Sequence, residues 1–227
     1  MVAKRLSLHH VIRAPLAGDD DHPPVLLLLH GVGSNELDLF GLSSYLDPRF
    51  LVVSARAPIT LGPDQYAWFP VQFLPAGPVA DFEAAERSRA LLLGFMDELA
   101  DAYGGDRGQT YLCGFSQGAI MSIGIGLTRP RSISGLAAMS GRILPEILPL
   151  RAPDAELAGL PVLWVHGLRD QTLPIDFGRR AQRELSALPV RLEYEEFPMA
   201  HEVSGPSLQR VSAWLSGRLD EAAQKPR

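Results

Sequence analysis

The sequence predicts an α/β fold with a mostly parallel central sheet, helices on both faces and no large cap domain. Short apolar runs alternate with longer segments of helical periodicity along the chain. Several of these runs are apolar at every position, as in residues 25–29, which is typical of parallel strands that helices cover on both faces. Alternating strands and helices with right-handed crossovers build a doubly wound sheet, which binds ligands at the carboxyl ends of its strands. Functional residues are therefore expected in the loops that follow strands.

Seven short segments predict the strands. Each is rich in apolar or β-branched residues and is followed by a turn or by a helical pattern. The segments span residues 6–12, 25–29, 50–54, 110–114, 133–139, 162–166 and 191–197.

Five segments predict the helices. The clearest begins after Asp81, a good N-cap residue, runs to about Tyr103 and ends at Gly104. The others span residues 37–46, 117–127, 175–188 and 207–219. In the last of them, three apolar side chains either pack on the sheet or form a homodimer face, and the sequence leaves both open: Val211, Trp214 and Leu215.

Composition limits the classes of protein that this chain can represent. The 227 residues are 46% hydrophobic, which is enough to fold as one domain over residues 1–227. The longest apolar run, residues 25–29, is far shorter than the ~20 residues that a membrane-spanning helix needs. The net charge of −5 gives no attraction to nucleic acid phosphates. Cys113 is the only cysteine, and polar residues interrupt the N-terminal stretch before a secretion signal could form, so we expect a cytoplasmic protein.

The strongest functional motif is Gly114-Phe115-Ser116-Gln117-Gly118. It lies between a predicted buried strand and a predicted helix. A serine on such a tight turn projects its hydroxyl above the sheet edge, and glycines two residues before and after it let the strand and helix pass closely. The motif predicts that Ser116 is a nucleophile.

A serine hydroxyl needs a base, and the base needs a carboxylate to orient it. On this kind of turn the chain order is serine, then acid, then histidine. His166 and His201 both follow Ser116, and Asp170 lies between them in a loop after a strand. We expect Asp170 and His201 to complete the triad and His166 to be a structural residue with a local hydrogen bond. The alternative base, His166, would require an earlier acid: Glu146, Asp154 or Glu156.

Two backbone N–H groups are expected to stabilise the negative charge that develops on a carbonyl oxygen. One belongs to Gln117, directly after the nucleophile, and the other to a loop after an earlier strand. The turn His30-Gly31-Val32-Gly33 follows the apolar strand 25–29, and the flanking glycines allow the Val32 amide to face the site. The other interpretation of this turn is a glycine-rich connection with no such role.

Four motifs together resemble the phospholipase/carboxylesterase family of α/β-hydrolases, which includes bacterial carboxylesterases and acyl-protein thioesterases. In chain order they are His30-Gly31-x-Gly33, Gly114-Phe115-Ser116-Gln117-Gly118, Gly167-x-x-Asp170 and Ala200-His201-Glu202. The resemblance spans nearly the whole chain. It implies an α/β-hydrolase fold and a serine hydrolase acting on esters or thioesters, with the triad and the two amide donors named above.

Two positions depart from the family pattern. Ala200 stands where the family usually has glycine, which should alter only the loop. Ser34 stands where the thioesterase branch commonly has aspartate, which weakens a protein-depalmitoylating interpretation.

The connection over residues 56–80 is long enough to suggest a function. Either it folds over the nucleophile and lines an acyl pocket, with or without acting as a mobile lid, or it packs on the core. We expect substrate contacts from this segment and from the loop after residue 139: Trp68, Phe69, Phe73, Ile143 and Leu144.

The expected function is a carboxylesterase that cleaves small-molecule esters of short- to medium-chain acyl groups through an acyl-enzyme. No segment is long enough for a large lid, which favours the shorter acyl groups. We expect no cofactor and no metal, since the cluster Asp19-Asp20-Asp21-His22 is typical of a solvated turn. A thioesterase or lysophospholipase with the same triad is the first alternative, and a non-catalytic binding protein on the same fold is the second.

Overall fold

The computed structural model describes residues 3–18, 22–74 and 77–224, without the side chain of Phe73. The acidic residues 19–21 of the predicted solvated turn lie outside the described residues. The strands are, in chain order, β1 (His10–Arg13), β2 (Pro24–Leu29), β3 (Leu51–Ala55), β4 (Ile59–Gly62), β5 (Gln65–Ala67), β6 (Val71–Leu74), β7 (Gly77–Ala80), β8 (Asp106–Phe115), β9 (Gly135–Met139), β10 (Pro161–Gly167) and β11 (Arg191–Phe197). The helices are α1 (Leu37–Phe40), α2 (Phe82–Tyr103), α3 (Gln117–Thr128), α4 (Asp154–Leu157), α5 (Ile175–Ser186) and α6 (Gly205–Ala223).

A mixed sheet organises the molecule. Within the described residues it has seven strands in the order β1-β3-β2-β8-β9-β10-β11. β1 pairs antiparallel with β3, and the other neighbouring strands pair in parallel. The carboxyl ends of β2, β8, β9 and β10 therefore meet at one edge of the sheet. Leu29 of β2 and Ala138 of β9 both pair with Gly114 of β8. The loops after β2 and β9 therefore begin on either side of Ser116, the residue that follows β8.

The sheet is buried on both faces, as the apolar strands predict. In β2, Val25, Leu27 and Leu29 belong to one hydrophobic cluster and Leu26 and Leu28 to another. The first cluster includes apolar residues of α2 and α3, and the second includes apolar residues of α1 and α6. No helix among the described residues is both long enough and apolar enough to cross a membrane.

The ends of α2 follow the sequence prediction. The Asp81 carboxylate accepts a hydrogen bond from the Ala84 N–H at 2.9 Å, which caps the first turn. Gly104 adopts a left-handed conformation with φ 71°, and its N–H donates to the carbonyl of Ala100. Both caps satisfy backbone groups that the helix itself leaves unpaired.

Two predicted elements at the amino-terminal end are wrong in their extent. The first strand begins at His10 and not at residue 6, because the His10 Nδ1–H donates to the Leu8 carbonyl and closes a turn there. The predicted helix over 37–46 is reduced to the four residues of α1, followed by a 3₁₀ turn over Ser43–Tyr45. Gly41 and the two serines that follow Leu42 have low helix propensity, so the helical pattern is not continued.

Of the two interpretations left open for the last helix, packing on the sheet is the one observed, and these residues form no homodimer face. Val211, Trp214 and Leu215 are 1%, 3% and 0% exposed and pack in the cluster beneath the sheet. These side chains stabilise α6 against its own chain and are not available to a partner.

Asp47 anchors the turn before β3, and we predict a pH-dependent contribution to stability from it. Its carboxylate accepts hydrogen bonds from the Arg49 backbone N–H and guanidinium, which also binds Asp220 on α6. The Arg49 guanidinium holds the pKa of Asp47 at about 2, below the ordinary value of 3.8. A carboxyl whose pKa falls on folding stabilises the fold above its unfolded value, and this stabilisation is lost as the pH falls through the folded value. Asp47→Asn is therefore expected to lower the free energy of unfolding by about 2 kcal/mol at neutral pH.

Urea unfolding of both proteins tests this. The difference between them should shrink from about pH 4 towards pH 2, because the wild-type carboxylate becomes protonated over that range. Asp220→Asn is the control, since that side chain is 58% exposed and its ion pair should contribute little. An Asp47→Asn difference that is as large at pH 3 as at pH 7 contradicts the prediction.

Candidate active site

Ser116 lies on a strained turn between β8 and α3. Its backbone has φ 54° and ψ −114°, outside the regions that a serine prefers. Such a conformation costs on the order of 1–3 kcal/mol and persists only where the surroundings impose it. The Ser116 N–H donates to the Met139 carbonyl at 2.9 Å, and the Ser116 carbonyl accepts from the Ile120 N–H at 3.1 Å. These two bonds tie the turn to β9 and to the first turn of α3.

The two glycines of the motif permit a close approach of backbones, as predicted. A Cβ atom on Gly114 would lie 2.3 Å from the carbonyl of Gly118. A Cβ atom on Gly118 would lie 1.9 Å from the carbonyl oxygen of Leu29 on β2. No side chain fits at either position, so α3 begins directly against the sheet and Ser116 is held at its edge.

Ser116, His201 and Asp170 form one hydrogen-bonded chain. The distance from His201 Nε2 to Ser116 Oγ is 2.8 Å, and that from His201 Nδ1 to Asp170 Oδ2 is 2.7 Å. A carboxylate only accepts hydrogen bonds, so the Nδ1–H donates to Asp170, and Nε2 is left to accept the Ser116 hydroxyl proton. The imidazole stacks at 4.9 Å on the ring of Phe115, which fixes its plane.

The Asp170 carboxylate is buried, and both of its oxygens accept hydrogen bonds. Its Oδ1 accepts the N–H groups of Thr172 at 2.9 Å and Leu173 at 2.8 Å, and its side chain is 0% exposed. Together with His201 these donors hold the carboxylate in one orientation. The imidazole therefore has a fixed tautomer.

His166 is a structural residue, as predicted. Its ring is 0% exposed and its Nε2–H donates to the Leu173 carbonyl at 2.8 Å. Burial lowers its pKa, which favours the neutral ring. Since His201 makes the bond to Ser116, the alternative in which His166 is the base is wrong.

Two residues beside Ser116 have backbone N–H groups without an acceptor among the described residues. They are Val32 and Gln117, and both line the same cavity as the serine. His30 shapes the first of these loops, since its Nδ1–H donates to the Gly31 carbonyl and its Nε2 accepts the Ala57 N–H. The Gly33 N–H donates to the Tyr66 carbonyl at 2.9 Å and holds the loop from the other side.

The segment over residues 56–80 contains two hairpins, β4–β5 and β6–β7, rather than an irregular connection. The side chain of Gln117 holds the stretch between them. Its Oε1 accepts the Trp68 N–H at 2.7 Å, and its Nε2–H donates to the Phe69 carbonyl at 2.6 Å. The sequence around Gln117 does not predict this role of its side chain, because its hydrogen-bond partners are about fifty residues away in the chain.

The prediction that Trp68 contacts the substrate is wrong. It is 0% exposed, and its Nε1–H donates to the His30 carbonyl at 3.0 Å. It packs beneath the loop that carries Val32 and supports that loop from the core. Phe69 does line the cavity, and the side chain of Phe73 lies outside the described part of the chain.

The cavity above Ser116 has a volume of about 210 Å³. Its wall from the hairpin segment is apolar and consists of Phe69, Val71 and Pro78. Ile143 and Leu144 are wrong as wall residues, since they are 6% and 5% exposed and pack in the core. Arg142, one residue earlier, lines the cavity in their place. The loop after β9 therefore turns Arg142 towards the cavity and buries Ile143 and Leu144 in the core.

Cys113 is a packing residue, as expected. It is buried on β8, and burial raises the pKa of its thiol to about 12. The protonated thiol is a weak nucleophile at neutral pH.

Known carboxylesterases and an acyl-protein thioesterase are similar to this chain. A curated relative, "Probable carboxylesterase SOBER1-like" of Arabidopsis thaliana, is 28% identical over 87% of this chain and 80% of its own length. Acyl-protein thioesterase 1 of Kluyveromyces lactis is 29% identical over 86% of this chain and 92% of its own length. The crystal structure of the Bacillus cereus carboxylesterase superposes with a TM-score of 0.76 at 25% identity, covering 93% of this chain and 94% of that one.

The sheet order, the serine turn at the end of β8 and the relatives together define an α/β-hydrolase that hydrolyses esters. The profile of the phospholipase/carboxylesterase family matches residues 12–218. The chain belongs to this family.

Proposed function

We propose that this protein is a serine esterase that cleaves small-molecule carboxylic esters of short- to medium-chain acyl groups, with Ser116, His201 and Asp170 as its triad. The observation that carries the proposal is the hydrogen-bonded chain of 2.8 and 2.7 Å from Ser116 through His201 to Asp170, which opens into a cavity. The reaction needs no group beyond these side chains and two backbone amides.

The first half of the reaction forms an acyl-enzyme. Ser116 Oγ attacks the ester carbonyl carbon while its proton moves to His201 Nε2, and the Asp170 carboxylate stabilises the resulting imidazolium. The carbonyl oxygen becomes an oxyanion that accepts hydrogen bonds from the N–H groups of Val32 and Gln117, each expected to contribute about 3–4 kcal/mol. The carbon–oxygen bond to the alcohol then breaks, and the alcohol leaves with the proton from Nε2.

The second half releases the acid. A water molecule attacks the acyl carbon while one of its protons moves to His201 Nε2. The tetrahedral intermediate collapses, Ser116 Oγ recovers the proton, and the carboxylic acid departs. The same imidazole serves as base and then as acid in each half, which requires the fixed tautomer that Asp170 provides.

The size of the cavity supports the shorter acyl groups. At about 210 Å³ it lies below the ~300–1,000 Å³ of pockets that enclose drug-sized ligands. Its wall from the hairpin segment is apolar, which suits an alkyl chain. A cytoplasmic location belongs to the same proposal and is supported by the single, buried cysteine, Cys113.

A thioesterase or lysophospholipase is the second candidate function, because a relative at 29% identity is named an acyl-protein thioesterase. The triad chemistry is the same for a thioester. Values of kcat/KM for p-nitrophenyl butyrate, for butyryl- and palmitoyl-coenzyme A and for a lysophospholipid distinguish these functions. We expect the aryl ester to be the best substrate, and a preference for palmitoyl-coenzyme A or the lysophospholipid would overturn the short-chain esterase proposal.

A fluorophosphonate probe tests the chemistry without choosing a substrate. We expect the probe to label the folded protein at Ser116 and to abolish hydrolysis of p-nitrophenyl butyrate in proportion to labelling. A folded protein that the probe does not label would favour the non-catalytic binding protein instead.

A further inference from the structure

Arg142 places a positive charge in the cavity that holds Ser116. It lies in the loop after β9, two residues beyond Ser140, whose backbone has φ 49°. Gly141 packs so closely on α3 that a Cβ atom there would lie 2.7 Å from the Ala119 Cβ. The loop is therefore held tightly, and Arg142 is presented to the cavity by a rigid backbone.

The Arg142 guanidinium has no carboxylate partner within the described residues. Several other arginines are paired, such as Arg56 with Glu36 and Arg210 with Glu193, whereas no carboxylate of the described residues lies within 4.0 Å of the Arg142 guanidinium. Its nearest described interaction is with the ring of Phe177, at 5.7 Å from the ring centroid. Burial lowers its pKa, and the field of Glu146 opposes that shift only from beyond ion-pair distance. An arginine stays protonated in proteins, so this is a partly desolvated cation without a counter-ion.

The acidic group that also lines the cavity lies on the other side of the serine. Asp38 on α1 follows β2, whereas Arg142 follows β9, and these two strands flank β8. Asp38 is exposed, and its Oδ2 accepts the Ser34 hydroxyl at 2.7 Å. The cavity is thus polarised, with its half-buried positive charge on one side of Ser116 and a solvated negative charge on the other.

We propose that Arg142 binds a carboxylate carried by the ester substrate and makes the enzyme selective for anionic esters over neutral esters of the same shape. This inference rests on the proposed function. A planar guanidinium binds a carboxylate through two parallel hydrogen bonds, and the partial burial of Arg142 strengthens the interaction. The substrate class is therefore a monoester of a dicarboxylic acid or an ester of a hydroxy acid, according to which side of the ester bond reaches Arg142.

Two matched pairs of substrates distinguish these sources of the carboxylate. Monoethyl adipate and ethyl hexanoate differ by a carboxylate in place of the terminal methyl of the acyl group, and 4-(butyryloxy)butanoate and butyl butyrate differ by a carboxylate in place of the terminal methyl of the alcohol. The rate of each hydrolysis is followed by titration of the acid released near neutral pH. We expect a higher kcat/KM for the anionic ester in one of the two pairs, which identifies the side that faces Arg142.

Variants of Arg142 test whether this residue is the cause. Arg142→Gln and Arg142→Met are expected to lower the anionic-to-neutral ratio of kcat/KM by about 10- to 100-fold, the range expected for loss of a charge-assisted hydrogen bond. Arg142→Lys should retain part of the ratio, because lysine keeps the positive charge but cannot form the two parallel hydrogen bonds of a guanidinium. Arg180→Gln is the control: Arg180 is a neighbouring exposed cation that does not line the cavity, so the ratio should not change.

The outcomes separate this inference from the proposed function. Equal losses on both members of each pair, or a ratio that is the same in the wild type and Arg142→Gln, would overturn the role of Arg142 while leaving the esterase intact. If the wild type hydrolyses none of the four esters, the proposed function fails and this inference fails with it. Circular dichroism of each variant shows whether it is folded, and the methionine variant preserves the packing of the side-chain stem.

Discussion

Replacing Ser116 by alanine is expected to lower kcat for p-nitrophenyl butyrate by about 10⁴-fold or more. The hydroxyl is the atom that forms the acyl-enzyme, and no other nucleophile among the described residues is bonded to His201. The backbone donors of Val32 and Gln117 are unchanged by this substitution, so a low residual rate above that in water should remain. The measurement is kcat with purified protein, together with loss of the burst of p-nitrophenol.

Ser122→Ala is the matched control for Ser116→Ala. Ser122 is buried on α3, and its hydroxyl donates to the Gly118 carbonyl at 2.9 Å without reaching the site. We expect its kcat to stay within a few-fold of that of the wild type. A Ser116→Ala protein with near wild-type turnover would refute the triad and, with it, the mechanism proposed above.

Gly118→Ala is expected to have the largest effect on stability, a loss of more than about 4 kcal/mol. The added Cβ atom would lie 1.9 Å from the Leu29 carbonyl oxygen and 2.9 Å from that of His30. Both contacts are with backbone at the end of β2 and in the residue that follows it, which cannot move without separating β2 from α3. Thermal unfolding followed by circular dichroism measures the effect, and failure to obtain folded protein is its extreme form.

Two other glycines provide a graded comparison. Gly126→Ala places a Cβ atom 2.4 Å from the end of the Leu136 side chain, which can rotate, so a loss of about 1–3 kcal/mol is expected. Gly94→Ala on the exposed face of α2 meets nothing within 4 Å and should stabilise the protein by ~0.5–1 kcal/mol. If Gly118→Ala unfolds at the same temperature as Gly94→Ala, the close approach of α3 to β2 is not required.

The three residues of the hydrogen-bonded chain could be predicted, because the chemistry of a serine nucleophile restricts their types and their order along the chain. The Ser116 motif combines a strand, a tight turn and a helix within about ten residues, and the order of serine, acid and histidine leaves few choices. Of the two histidines after Ser116, the one that follows a later strand makes the hydrogen bond at 2.8 Å. The expected roles of Val32 and Gln117 remain predictions, supported by backbone amides that have no acceptor among the described residues and belong to residues lining the cavity.

The walls of the cavity could not be predicted in the same way. Trp68, Ile143 and Leu144 have the size and hydrophobicity of pocket residues, but the same properties bury them in the core. The three apolar residues of α6 were ambiguous for the same reason, because a helix in a dimer interface and a helix packed on a sheet have the same spacing of apolar residues. Hydrophobicity predicts that a side chain is buried, but it does not predict which surface buries it.

The amino-acid sequence by itself determined the parallel sheet, the turn that carries Ser116 and the identity of its two partners, because periodicity, glycine spacing and chain order are local or one-dimensional properties. Only the tertiary structure decided that Gln117 holds the segment above the site, that Trp68 supports the loop of Val32 from below, and that Arg142 lies unpaired in the cavity. Each of these depends on distances between segments far apart in the chain, and such distances are set by the packing of the whole core.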